Sequence, residues 1–192
     1  MSASLASITA LAPPLLLQLV GILSKRCSEP LRLVRSGASQ VRAAPRSAKA
    51  PALPEPSYFV PNILRPARAF LDGAGKVLPG GERQVLMQAL LEDLANKYEA
   101  ALSKMKKDGD ALRRLKKGRQ GTGFSSLFGR GTASAAASAD DAAGPNAEDE
   151  RVKEQMSVDI EAFAKEAESL GADLSAGESL AALRAVVADW TK

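Results

Sequence analysis

The chain has 192 residues, enough for one domain or part of one. It is 45% hydrophobic but only 4% aromatic, so it makes helices more readily than it fills a dense core. It has no histidine, one cysteine (Cys27) and a net charge of +4. That excludes the commonest general base, the commonest metal ligand, an internal disulfide and a Cys-rich zinc site.

Leu5 to Leu23 carries no charge and is followed by Lys25-Arg26. Its length approaches a membrane span, but Pro13-Pro14 and Gln18 interrupt it. It lacks a basic n-region and a small-residue cleavage site, which argues against a secretory signal. Residues 1–50 hold seven Lys/Arg and one acid, with much Ser and Ala, as organelle transit peptides do. The third reading is a core helix opened by Pro13-Pro14, with Leu15, Leu16, Leu19, Ile22 and Leu23 packed into a bundle. Core helix, targeting segment and membrane anchor all stay open here. Cys27, beside Lys25 and Arg26, is either a reactive thiolate or a helix-packing residue.

Helix is expected from Leu15 to Arg35, with a break near Pro30. Residues 36–56 are rich in Pro, Ala, Ser and Arg and predict an extended connector. Ser57 to Leu71 is a short amphipathic element with Tyr58, Ile63, Leu64, Phe70 and Leu71 on its apolar side, and Pro61 and Pro66 divide it. A glycine-rich loop follows, from Gly73 to Gly81.

A long helix is predicted over residues 82–118. Leu91, Tyr98, Met105 and Leu112 recur every seven residues, and Met87, Leu94, Ala101 and Leu115 take the companion position, with Asp108 interrupting. That is an a/d seam, of which Leu91, Leu94, Tyr98, Met105, Leu112 and Leu115 are the chief members. Asp108-Gly109-Asp110 predicts a bend or solvated turn. Arg113, Arg114, Lys116, Lys117 and Arg119 crowd the end, where cations complement the helix dipole.

Residues 119–145 are low-complexity and predict a disordered linker, in which Phe124, Leu127 and Phe128 could dock. Asn146 suits a helix N-cap, and Val152, Met156, Ile160, Phe163, Ala167 and Leu170 share one face up to Gly171. Ser175-Ala-Gly-Glu178 matches a capping box before a last helix carrying Leu180, Leu183, Val186, Val187 and Trp190. No stretch alternates with period two. The expected fold is all-α: an elongated helical bundle with a long central helix and a disordered internal linker. Its segments are 1–35, 36–56, 57–118, 119–145 and 146–192.

Charge divides the chain. Residues 1–135 hold 21 Lys/Arg against 9 Asp/Glu, a net of +12, and residues 136–192 hold 5 against 13, a net of −8. Such halves face each other or different partners. Chemistry is absent from the pattern. The glycines of Gly121 to Arg130 lack a Gly-Lys-Ser/Thr ending, and the paired acids fall in the linker or at a helix start. No catalytic residue, cofactor or metal site is assigned. The Arg113–Arg119 cluster is a solvated helix end, a docking patch for an acidic partner or anionic lipid, or a nucleic-acid contact. The last lacks interleaved aromatics and any helix-turn-helix pattern.

Five short stretches, in order, carry a resemblance. Leu23-Ser-Lys-Arg-Cys-Ser-Glu-Pro-Leu-Arg-Leu-Val-Arg35 comes first, then Pro56-Ser-Tyr-Phe-Val-Pro-Asn-Ile-Leu-Arg-Pro66 with Phe70 behind it. The long helix follows, with Lys97-Tyr98 at its centre and Ala111-Leu-Arg-Arg-Leu-Lys-Lys-Gly-Arg119 at its end. Arg151-Val-Lys-Glu-Gln-Met-Ser-Val-Asp159, leading to Phe163, and Leu170-Gly171-Ala-Asp173 complete the set. Together they resemble the C-terminal domain of subunit 2 of the conserved oligomeric Golgi complex.

The resemblance implies a non-catalytic subunit of a vesicle-tethering assembly that recycles Golgi glycosylation enzymes. It implies a peripheral position on the cytosolic face of the Golgi membrane. Other subunits of the complex would be partners, with SNAREs and Rab GTPases contacted through the assembly and no nucleic acid involved. Family members carry an N-terminal coiled-coil region ahead of this domain. On that comparison the chain is a fragment, an incomplete gene model or a short paralogue. Leu15 to Leu23 then becomes an internal bundle helix, and the long helix packs its seam against the Asn146–Leu170 helix.

Overall fold

The computed structural model describes residues 10–43, 55–121, 145–171 and 178–191. Every regular element among them is helical. Helix α1 spans Ala12–Cys27, with proline in its first turn, and ends where Ser28 leads into the 3-10 helix Glu29–Leu33 around Pro30. The break expected at Pro30 is therefore present. Helix α2 follows at once, Val34–Ala43.

This corrects the sequence expectation, which placed residues 36–43 in an extended connector. The Ser/Gly/Ala composition is there for close packing. A Cβ on Gly37 would lie 3.2 Å from the Phe59 ring, and Ala38 is fully buried. The rest of the proposed connector, residues 44–54, lies outside the described residues, as do the expected linker from residue 122 to 144 and the Ser175 cap.

Pro61 and Pro66 each open a short helix, α3 (Val60–Ile63) and α4 (Arg65–Asp72), so the amphipathic element is two pieces meeting at Leu64. Its inner side is Phe59, Val60, Ile63, Leu64, Ala67 and Leu71. Tyr58, expected on that side, is half exposed, and its hydroxyl bonds Ser36 at 2.9 Å. The 3-10 helix Ala74–Val77 then turns the chain. Gly75 is required there, since a Cβ would sit 3.0 Å from both the Phe70 ring and its carbonyl oxygen.

Helix α5, Gly80–Gly121, is 42 residues long, or about 63 Å at a rise of 1.5 Å per residue. It passes through Asp108-Gly109-Asp110 without interruption. Asp108 is held by Arg35 at 3.6 Å, and Gly109 lies under the Arg42 guanidinium. It also runs past Gly118, because a glycine costs only about 1 kcal/mol in a helix otherwise rich in Leu, Lys, Arg and Ala. Helix α6, Pro145–Ser169, ends at Gly171, whose φ of 86° suits glycine. Helix α7, Glu178–Ala188, closes the fold with the 3-10 turn Asp189–Thr191.

The core is one continuous apolar cluster drawing on every α-helix. Helix α5 packs most closely against α1 and α7, while α6 lies against α2, α3 and α7. The expected pairing of α5 with α6 is thus not among the close backbone packings. Large side chains bridge the gap, with the Tyr98 and Phe163 rings edge-to-face at 5.8 Å. Phe59 completes the stack at 6.5 Å from Tyr98.

Within this core sits Asp159, fully buried. One carboxylate oxygen accepts the Ser57 amide at 2.6 Å and the Gln155 side-chain amide at 3.0 Å. The other oxygen, and the nearby Tyr98 hydroxyl, have no hydrogen-bond partner among the described residues. Burial pushes the Asp159 carboxyl above its usual range, against the lowering effect of the bonds from Ser57 and Gln155. Burial, and then the Asp159 charge, push Tyr98 up as well.

Two stability tests follow from this packing. Leu94 is fully buried and Leu115 is 67% exposed. Leu94→Ala should cost about 2–5 kcal/mol in urea unfolding, while Leu115→Ala should stay within about 0.5 kcal/mol. The second concerns pH. Because the folded pKa of Asp159 is raised, the folded chain holds its proton more tightly than the unfolded chain. Stability therefore falls as pH rises from the ordinary carboxylate value of 3.8 through the folded value. Asp159→Asn removes this loss, so its stability relative to the parent should grow over that window in melts at a series of pH values. A difference that stays flat with pH would mean that the Asp159 carboxyl is not strained by burial.

Candidate functional site

Helix α5 has two regimes. From Leu86 to Met105 it is the spine of the core, with Leu91, Leu94, Tyr98 and Met105 buried, and Leu86, Met87, Leu90, Ala95 and Leu102 buried beside them. The buried band is broader than a two-position seam, because α1 and α7 flank the helix on different sides. Past Asp110 the environment changes. Ala111, Arg114 and Leu115 are exposed. The side chains of Leu112, Arg113, Lys116, Lys117 and Arg119 lie outside those described. Of the expected docking patch only Arg114 is placed, and it faces solvent.

Along one flank of α5 the incoming chain forms a groove. Ser24 at the end of α1 donates to Asp93, and Lys97 bonds both Ser24 and Asp93, the latter at 2.8 Å. Burial pushes the Asp93 carboxyl up, but the bonds from Lys97 and Ser24 outweigh it and leave the group below its usual range. This three-membered knot fixes α1 alongside α5. About three turns further along α5, the Arg35–Asp108 pair ties α2 to the same flank.

Between the two ties lies an open groove of about 370 Å³. Its floor is Leu31, Val34, Ala101 and Met105, and its rim carries Arg32, Arg35, Lys97 and Lys104 with Asp108 as the lone acid. Arg32 and Lys104 are exposed and enter no ion pair among the described residues. The sequence carries no local sign of this groove, because its walls come from two distant segments, Ser28 to Arg35 and Lys97 to Asp108.

Elsewhere the charged halves meet through Arg42 with Asp149 at 3.7 Å, Arg68 with Glu166 at 3.5 Å and Lys106 with Asp189 at 3.5 Å.

The helix of the N-terminal segment is a bundle helix, but with a correction. Leu23 is buried and Leu16, Leu19 and Val20 pack against the core, whereas Leu15 and Ile22 point outward, 60% and 57% exposed. They lie on the opposite side of α1 from the Leu16–Leu23–Cys27 face. Among the described residues no helix is long and apolar enough to cross a membrane. Cys27 is fully buried, and burial pushes its thiol up to about 11 against weaker lowering from the Ala67 backbone and Lys97. It packs as a small apolar residue and is not a thiolate at neutral pH. No group of His, Cys, Asp and Glu among the described residues is arranged to hold a metal ion.

No curated protein and no solved structure matches the chain. The family model described as "COG complex component, COG2, C-terminal" matches residues 1–160. That span takes in α1 through α5 and more than half of α6, including the groove and the Phe59–Tyr98 pair of the aromatic stack, while Phe163 lies just beyond it. The chain thus belongs to the family of the C-terminal region of COG2, a component of the conserved oligomeric Golgi complex.

Proposed function

We propose that the chain is a non-catalytic scaffold within the Golgi tethering complex, serving intra-Golgi retrograde transport through helix-on-helix association. Other subunits of the complex are its direct partners. SNAREs and Rab GTPases are reached through the assembly, and the chain sits peripherally on the cytosolic face of the Golgi membrane. The family match over residues 1–160 carries this reading. The form of α5 supports it. One helix serves as the spine of a core and then runs on with an exposed leucine, which offers a partner helix a rigid surface already held straight. The partly exposed apolar side of α1 offers a second such surface.

Purification of the tagged chain from cells, followed by mass spectrometry, tests the reading. Golgi tethering subunits should co-purify, and imaging with a C-terminal fluorescent tag should give perinuclear puncta. Recovery of no tethering subunit, or filling of a mitochondrion or plastid, would overturn it.

A further inference from the structure

We propose that the groove between the 3-10 helix Glu29–Leu33 and α5, continued along α5 over the exposed Ala111 and Leu115, is a docking site for an acidic amphipathic helix of a partner protein. The inference rests on the scaffold reading and adds the surface and the chemistry of the occupant.

Spacing gives the first argument. Lys97, Ala101, Lys104, Asp108, Ala111 and Leu115 recur at steps of four and three, so they fall on one face of α5. The first four line the groove. The last two are exposed beyond it. Groove and exposed continuation are thus one stripe, about 27 Å long at a rise of 1.5 Å per residue. A helix of about five turns matches that length.

Charge gives the second. Four cations and a single acid surround the apolar floor. Lys97 is engaged by Asp93, and Arg35 by Asp108. Arg32 and Lys104 remain for an incoming ligand, with Arg114 beyond them. Among the described residues, Arg42, Arg68 and Lys106 pair with acids of the acidic part, and all three lie away from this groove. No residue of α6 lines the groove. A partner with carboxylates beside a leucine stripe would place its apolar side on Leu31, Val34 and Met105 and its acids against Arg32 and Lys104.

Shape and backbone chemistry select a helix over the other occupants. A helix flank has its amide and carbonyl groups already bonded, so an extended peptide would find no edge to pair with. A lipid surface is flat and would not reach a floor recessed between two helices. No aromatic ring lines the groove, so nucleic-acid bases have nothing to stack on.

A fluorescein-labelled 21-residue peptide of Leu, Ala and Glu, with Leu at helical spacing, is the probe, and a scrambled peptide of equal composition is its control. Anisotropy with the full chain should show saturable binding of the patterned peptide, weakened at high salt, and little binding of the scramble. Arg32→Glu with Lys104→Glu should weaken binding by at least about tenfold. Arg32→Gln with Lys104→Gln should fall between. Both side chains are exposed, so helicity by circular dichroism should match the parent in each variant. Leu115→Asn should weaken binding separately, at the far end of the stripe.

Equal binding of both peptides, unchanged binding by the double variants, or no binding at about 100 µM would overturn the proposal. So would sedimentation of the chain with phosphatidylserine vesicles that the double variant abolishes, in the absence of peptide binding. Failure here with intact co-purification of tethering subunits would remove the groove and leave the scaffold reading standing. Peptide binding without co-purification would do the reverse.

Discussion

The edge-to-face stacking of Tyr98 between Phe59 and Phe163 is the contact on which the arrangement of helices depends. The chain is poor in aromatic residues, and most of its core is leucine, methionine and alanine. Those side chains tolerate many relative placements of two helices. Three interlocking rings do not, because each pair is favourable only over a narrow range of angles and adds about 0.5–1.5 kcal/mol beyond its buried area. The stack joins the middle of α5 to the start of α3 and to the inner face of α6. With α6 held at ring-to-ring distance, the flanks of α5 are open for closer packing, and α1 and α7 take them. Gly37 belongs to the same constraint, since the Phe59 ring occupies the space where its side chain would stand.

That packing explains why one helix can have two characters. The first part of α5 is held by tertiary contacts on several sides. The last turns have none from the described residues at Ala111, Arg114 and Leu115, yet remain helical. Propagation of a helix from a fixed nucleus costs far less than starting one. The core supplies the nucleus, and Ala, Leu, Lys and Arg supply the propensity to continue. The cations at the end offset the partial negative charge of the unpaired carbonyls. A helix that continues past its buried part is thus the expected outcome of a buried beginning and a basic, leucine-bearing end.

The long helices were legible because their apolar faces persist over many turns, as with Val152, Met156, Ile160 and Phe163 on α6. Proline was equally informative at Pro30, Pro61 and Pro66, where its fixed backbone opens or breaks an element. Residues 36–43 misled because small residues serve loops and close helix packing alike, and only the neighbouring Phe59 decides between them. Leu15 and Ile22 misled for a different reason. In an uncharged stretch, hydrophobicity alone does not say which side of the helix faces the core. The heptad placed Leu115 with Leu94, yet the two differ in burial because the body ends between them. No sequence period records where neighbouring helices stop. The groove was illegible on the same ground, since its walls become adjacent only when Ser24 meets Asp93 and Lys97.

The charge division of the chain has a meaning that pairing alone does not give. Ion pairs such as Arg68 with Glu166 and Lys106 with Asp189 are partly exposed and contribute little to stability. If neutralising the basic part were the purpose of the acidic part, the flank of α5 bearing Lys97, Lys104 and Arg32 would be where α6 or α7 lies. Instead α1 and the 3-10 helix Glu29–Leu33, both from the basic part, cover that flank. Cations are therefore brought together by packing that is indifferent to their repulsion. In a concave setting their fields add, and they attract an opposite charge over about a Debye length, near 8 Å at physiological salt. The apolar stack fixes the fold, and the surplus of positive charge that the fold gathers on one side acts on what the molecule meets.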